Sequence, residues 1–392
     1  MIALALATCA ANRSLAANPD ADTLRARLTE EANQAEAKLR EGGMVVSDPE
    51  LAAYLASVAS PLLALAPDSS LPLRIAVLRD PTVNAFALPN GAIYVNIGAL
   101  ARVEDEAQLA LLLAQKMNHI ALDHTTQIAA DRRSKTVAAK LTQVALAPLL
   151  GLSDIAFAAA MAGYSREREE EADRAGMEWV ARAGFETRAA PRLFAVLDEG
   201  DRQVRCEELV ASGAVAANAN GRNDAAALRT AVAPITLESV RLSLALREYG
   251  LARDGAQLAI ARYGESARLR ADEGEALLGT AQAPAELPRE LRARGRNQRD
   301  REEADTRELA RLVARANEPL PDAEQSFRRA LALDSTYGPA RRGLGEVLLR
   351  RGDVAGGTAT LSEYLAAHPD AVDARLVEGM LRRIRTAASP AP

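Results

Sequence analysis

The sequence predicts a mostly α-helical chain with one small β-sheet, followed by an all-α helical array. Three observations carry that expectation. Alanine, leucine and arginine, all strong helix formers, are abundant in a chain of 392 residues with only 3% aromatics. Short strand-like runs cluster between Leu73 and Asn96, separated by turns bearing proline, asparagine and glycine. Near the C-terminus a pattern repeats: Ala323, Phe327, Ala330 and Ser335 recur 34 residues later as Gly357, Leu361, Tyr364 and Pro369.

Taken in order, residues 22–41 read as a charged amphipathic helix. Ser47-Asp48-Pro49-Glu50 marks the start of a second, with Asp48 as N-cap and Pro49 in the first turn, running to about Leu65. Leu73–Leu78, Ala85–Leu88 and Ala92–Asn96 are short strands broken by Asp80-Pro81 and Pro89-Asn90-Gly91. A long helix is expected from about Asp105 to Ala130. Its apolar stripe (Leu109, Leu112, Leu113, Met117, Ile120, Ala121) has the spacing of a core-facing surface. Val144–Gly163 is the most apolar stretch; Asp154, Pro148 and Gly151 interrupt it, so it reads as two buried helices rather than a membrane span. Another helix covers about Ser165–Ala183. Ala211–Ala225, rich in Ala, Asn and Gly, reads as a mobile loop bordering a cleft. Helices resume near Leu237–Tyr249, and Ala281–Pro288 looks like a connector.

With Leu344-Gly345 and Gly352-Asp353, the C-terminal recurrence resembles a tetratricopeptide repeat. Such helix pairs bury small residues against their neighbours and leave a concave groove for peptides. One helical hairpin is not stable alone, so Asp305–Ala316 and Asp370–Ile384 are expected to complete the stack.

The length suits two or three domains with a sizeable core. A net charge of -5 gives no basic footprint for nucleic acid. Two cysteines, Cys9 and Cys206, lying far apart in the sequence do not make a disulfide framework. Leu6-Ala7-Thr8-Cys9 resembles a bacterial lipobox, although Thr is unusual before the cysteine, the apolar run is short and no basic segment precedes it. A start upstream of Met1 and a cleavage after Ala16 or Ala17 remain alternatives; either gives an exported chain.

The chemistry concentrates in Leu113–His124, LAQKMNHIALDH. His119 follows Gln115 by one helical turn, so both lie on one helix face. In the HExxH motif of zinc peptidases, two histidines so spaced hold the metal, and the glutamate after the first takes a proton from zinc-bound water. Here Gln115 stands at the first histidine and Lys116 at the general base. Glutamine is a poor zinc ligand, and a lysine has no acceptor at neutral pH. The three histidines are His119, His124 and His368, so no register slip rescues the motif. On its own, a helical histidine is more often a packing residue, and an acidic run such as Glu167–Asp173 a solvated face; the surrounding sequence argues for more.

Asn84-Ala85-Phe86-Ala87-Leu88-Pro89-Asn90-Gly91, then Ile93-Tyr94-Val95 and Gly98, then the degenerate HExxH, then Glu169-Glu170-Glu171-Ala172-Asp173 follow one another in order. Together they resemble the zinc-metallopeptidase family that includes the CAAX prenyl protease, HtpX and the periplasmic BepA-type proteases. The resemblance implies an α+β zincin-like domain whose third zinc ligand is Glu169, with Asp173 orienting a ligand histidine. It carries over His119 and Glu169 as vestigial metal ligands, leaves Gln115 at the lost ligand position, and leaves no catalytic residue intact. It also makes Asn84, Ala85, Phe86, Gly91 and Tyr94 part of the segment along which a substrate strand would add. No cofactor is expected, or zinc if the family site still functions. Lys116 is expected to turn its ammonium toward Glu169 in place of the metal's charge, with Gln115 bridging His119 and Glu169.

The expected organisation is an export signal or lipoprotein-like N-terminus at 1–21, with Cys9 as the lipidation candidate, and a degenerate zincin-like domain at 22–265. Connector helices at 266–304 and tetratricopeptide-like repeats at 305–392 follow. The leading functional expectation is a pseudopeptidase of the bacterial envelope, in the periplasm or attached to the outer membrane. It would bind polypeptide clients or envelope proteins through cleft and repeat groove as a chaperone or adaptor in protein quality control, with peripheral membrane attachment a further expectation. A working zinc endopeptidase is the first alternative. A repeat adaptor with a purely supporting front domain is the second.

Overall fold

The computed structural model describes residues 19–66, 72–131, 164–197, 199–281 and 317–388. The expectations for Cys9 and the export segment, for the two helices in Val144–Gly163, for Asp305–Ala316 and for most of the connector lie outside these residues.

Helix α1 (Pro19–Glu41) and helix α2 (Pro49–Leu63) precede the sheet. The Asp48 carboxylate accepts the backbone N–H groups of Glu50 and Leu51, at 3.0 Å each, which caps α2 where the sequence placed its start. Strands β1 (Arg74–Leu78), β2 (Ala85–Ala87) and β3 (Ala92–Asn96) form one sheet in the order β1-β3-β2. The central β3 runs parallel to β1 and antiparallel to β2.

Alternation along the strands divides two cores. Phe86, Ala92 and Tyr94 face α1, where Leu28, Ala32, Ala35 and Leu39 form one helical stripe. Ala85, Ala87, Ile93 and Val95 face the opposite side, which holds α2 and the first motif helix. With both faces covered, every residue of β3 is buried.

After a short helix α3 (Ile97–Leu100), the first motif helix α4 runs Glu106–Ala121, capped by Asp105. The sequence reads as one helix to Ala130, but the structure breaks it. Asp123 takes a left-handed conformation (φ 55°), and a separate α5 (His124–Asp131) begins at the next residue. The kink turns His124 back toward His119. A single aspartate in the left-handed region is tolerated because its short polar side chain satisfies local groups, and Arg25 of α1 pairs with it at 2.5 Å.

The second motif helix, α6 (Arg166–Arg182), starts at the Ser165 cap and packs along α4. The contact is close: a Cβ at Gly176 would stand 3.3 Å from the backbone nitrogen of Gln115. A 3₁₀ turn (Ala190–Arg192), the short α7 (Leu193–Val196) and α8 (Gly200–Ala211) follow. The segment after α8, expected to be mobile, is tied down: Arg222 makes two hydrogen bonds of 2.8 Å to Glu106, and Asn218 N–H donates to the Thr187 hydroxyl. Helix α9 (Ala225–Ala245) begins at an Asp224 cap, earlier than the sequence suggests.

The remaining helices stack: α10 (Tyr249–Tyr263), α11 (Ala267–Thr280), α12 (Leu320–Leu333), α13 (Gly338–Arg350), α14 (Val354–Ala367) and α15 (Ala374–Ala388). Ala323, Phe327 and Ala330 of the recurring pattern are buried in one core with Leu277 of α11 and Leu344 of α13. The Phe327 ring fits only because position 343 is glycine, where a Cβ would stand 2.2 Å from the ring. Leu361 and Tyr364 form a further cluster with Val377 and Leu381. Among the described residues, no helix is long and apolar enough to cross a membrane.

Candidate functional site

The packing of α4 along α6 brings Gln115, Lys116 and His119 of the first helix beside Glu169 and Asp173 of the second. Gln115, His119 and Asp173 are buried, and the Glu169 side chain keeps 19% of its surface. Gln115 Nε2 donates to Glu169 Oε2 at 2.8 Å. His119 Nε2 lies 3.5 Å from the same oxygen, a long contact outside good hydrogen-bond geometry. The other ring nitrogen, Nδ1, meets His124 Nδ1 at 2.9 Å, one of the two donating. His124 Nε2 in turn faces Glu171 at 3.4 Å. Tyr164 stacks on the His119 ring, with centroids 3.7 Å apart.

Lys116 is expected to pair with Glu169 directly or through a water. Among the described residues it makes no direct ion pair but stays in electrostatic range of Glu169; the cation in direct contact is Arg202 of α8. Arg202 Nη2 lies 3.0 Å from Glu169 Oε2 and 2.5 Å from Asp173 Oδ1, Nε donates to Asp173 Oδ2 at 2.9 Å, and Nη1 donates to Glu199 at 2.6 Å. The guanidinium carbon lies 4.4 Å from the centroid of the Phe194 ring. A planar guanidinium presents several donors in a fixed fork and can meet three carboxylates at once, whereas an ammonium acts as a point charge. Asp173 is corrected for the same reason: instead of orienting a histidine, its carboxylate is filled by the bidentate Arg202.

Electrostatics follow the geometry. Burial pushes the His119 imidazolium down to about 4, so the ring is neutral. Burial would raise Glu169, but His119, Lys116 and Arg202 outweigh it and hold the carboxyl at about 2. Burial raises Asp173 against the pull of Arg202, and burial lowers the Lys116 ammonium.

This donor set does not fit a catalytic zinc. Such a site takes three protein ligands and an open position for water. Only His119 Nε2 and Glu169 Oε2 point at one another. The third place holds an amide that donates to Glu169, and a permanently charged guanidinium touches the oxygen that would face the metal. Among the described residues, no group of three or more His, Cys, Asp or Glu side chains is arranged to hold a metal ion.

The substrate-strand residues divide. Phe86 and Tyr94 send their rings into the α1 core, with centroids 5.4 Å apart. Tyr94 sits on the central strand, which is paired on both sides, so it cannot receive a further strand. Among the described residues the two edge strands are β1, whose far end is bridged by Val45 at Leu78, and β2, near Asn84–Ala87. Gly91 (φ 87°) forms the turn between β2 and β3, and its carbonyl accepts from Arg74 N–H.

Two motif helices facing across buried, titratable side chains, beside a small sheet, are the scaffold of a metallopeptidase. The chain belongs to peptidase family M48, whose family model matches residues 49–376. The beta-barrel assembly-enhancing protease of Escherichia coli is 25% identical over 185 residues, covering 44% of this chain and 38% of that protein. Its Vibrio cholerae homologue is 33% identical over 169 residues, covering 40% and 34%. The mitochondrial metalloendopeptidase OMA1 of Schizosaccharomyces pombe is 30% identical over 152 residues, covering 38% and 45%. The chain therefore spans less than half the length of each of these relatives.

Sequence reasoning missed Arg202, Glu199 and Phe194. Nothing in an arginine between acidic residues on a short helix distinguishes it from the other cations. His124 sits inside the quoted motif, but its contact with His119 depends on the break at Asp123, which leaves no periodic trace.

Proposed function

We propose that this chain is a pseudopeptidase of family M48, a polypeptide-binding chaperone or adaptor in the bacterial envelope. The observation that carries the reading is the pair of residues at the reaction centre. Lys116 stands at the base position and cannot accept a proton while charged. Gln115 donates to Glu169 instead of completing a ligand set. Two of the three relatives named above are beta-barrel assembly-enhancing proteases, which favours an envelope setting and clients among envelope proteins. Clients would meet the outer edge of β2 by strand addition and the tetratricopeptide-like groove of the C-terminal helices. Attachment to the outer membrane through Cys9 belongs to the same proposal.

An active zinc endopeptidase is the competing reading, and the family membership favours it. Incubation of the purified full chain with unfolded casein separates the two. The proposal expects intact casein with and without added zinc, and slower aggregation of the unfolded client. Cleavage abolished by a chelator would overturn it.

A further inference from the structure

We propose that Arg202 is the internal cation that replaces the metal at this centre, so that restoring the two missing motif residues alone does not restore zinc binding. The proposal rests on the reading of the centre as metal-free and adds the residue responsible.

Glu169 and Asp173 stand one turn apart on α6, both largely buried, and two such carboxylates repel each other unless a cation lies between them. Arg202 fills that place. Its Nη2 bridges the two carboxylates, Nε completes the fork on Asp173, and Nη1 reaches Glu199 just before α8. Only 12% of its side chain is exposed, and its face rests on Phe194. The same network ties α8 to α6.

A zinc ion on Glu169 Oε2 would sit about 2.0–2.2 Å from that oxygen, and Arg202 Nη2 is already 3.0 Å from it. The ion and the guanidinium would be close neighbours in a poorly solvated cleft. An arginine cannot relieve the repulsion by losing its proton, because its pKa is too high. Replacing Lys116 by glutamate adds a carboxylate in the electrostatic range of Arg202, which strengthens the hold of the guanidinium instead of loosening it.

Three full-length proteins test this: the native chain, Gln115→His/Lys116→Glu, and that double variant with Arg202→Gln. Each is loaded with zinc chloride, desalted and measured by elemental analysis, with thermal unfolding as the check on folding. The double variant should remain nearly zinc-free. The triple variant should bind zinc at least about 100-fold more tightly than the double and retain roughly one ion per chain. A double variant that retains a full equivalent of zinc overturns the proposal, and so does a folded triple variant that retains none. The double variant keeps Arg202 and its ion pairs, so its zinc content decides the matter even if Arg202→Gln prevents folding. Stoichiometric zinc in the native chain would instead bring down the metal-free reading itself.

Discussion

Glu169 joins the two motif helices at the candidate site. Its carboxylate lies where the family resemblance puts a metal ligand, yet its partners are Gln115, Arg202 and the edge of His119. Acid should undo this network in two stages. Burial holds the His119 ring neutral, with its pKa down from 6.5 to about 4. The unfolded chain therefore takes up a proton that the folded chain refuses, and stability falls as pH drops through that window. Glu169 is depressed from 4.5 to about 2, so its contribution is complete above 4.5 and lost as pH falls toward 2. The melting temperature of the native chain should decline through both windows, and Glu169→Gln should flatten the lower one. A native melting temperature that holds constant from pH 6.5 to 4 would contradict the burial of a neutral His119.

At the scale of elements, much was legible because local chemistry agreed with tertiary packing. Asp48 before Pro49, the alternation of Phe86 with Ala85 and Ala87, and Ser165 ahead of an acidic first turn each signal one structure by one mechanism. The Gln115–Glu169 contact was also foreseeable: helical spacing put Gln115 on the face of His119, and the family resemblance put Glu169 beside it. The break between α4 and α5 was not, because it rests on one left-handed residue inside an otherwise helical pattern. Arg202 was not either: its partners lie on α6 and in the turn before α8, and only the tertiary fold joins them. The helical array offers a direct check on packing. Phe327 lies between α11 and α13, against Gly343, and is buried to 2% exposure. Phe327→Ala should cost about 3–5 kcal/mol, the usual range for emptying a buried aromatic site, with the loss read by chemical denaturation. A loss under about 1 kcal/mol would mean that the helices close over the gap or do not share one core.

At the scale of the molecule, the M48 scaffold and the helical array are physically continuous. Leu277 and Leu278 of α11 share a core with α12 and α13, so the front of the array is built partly from helices ahead of the recurring pattern. Removing residues 305–392 would therefore strip a hydrophobic face from α11 as well as deleting α12–α15, and substitutions that leave this core intact are the cleaner probe of client binding there. The family fold remains, while the residues at its centre form a network of ion pairs and hydrogen bonds where a metal would be. Elemental analysis of the native full-length protein, purified without chelator and dialysed, tests that claim most directly. The account predicts zinc far below one equivalent per chain. A stable value of about one equivalent, the stoichiometry of a catalytic site, would contradict it.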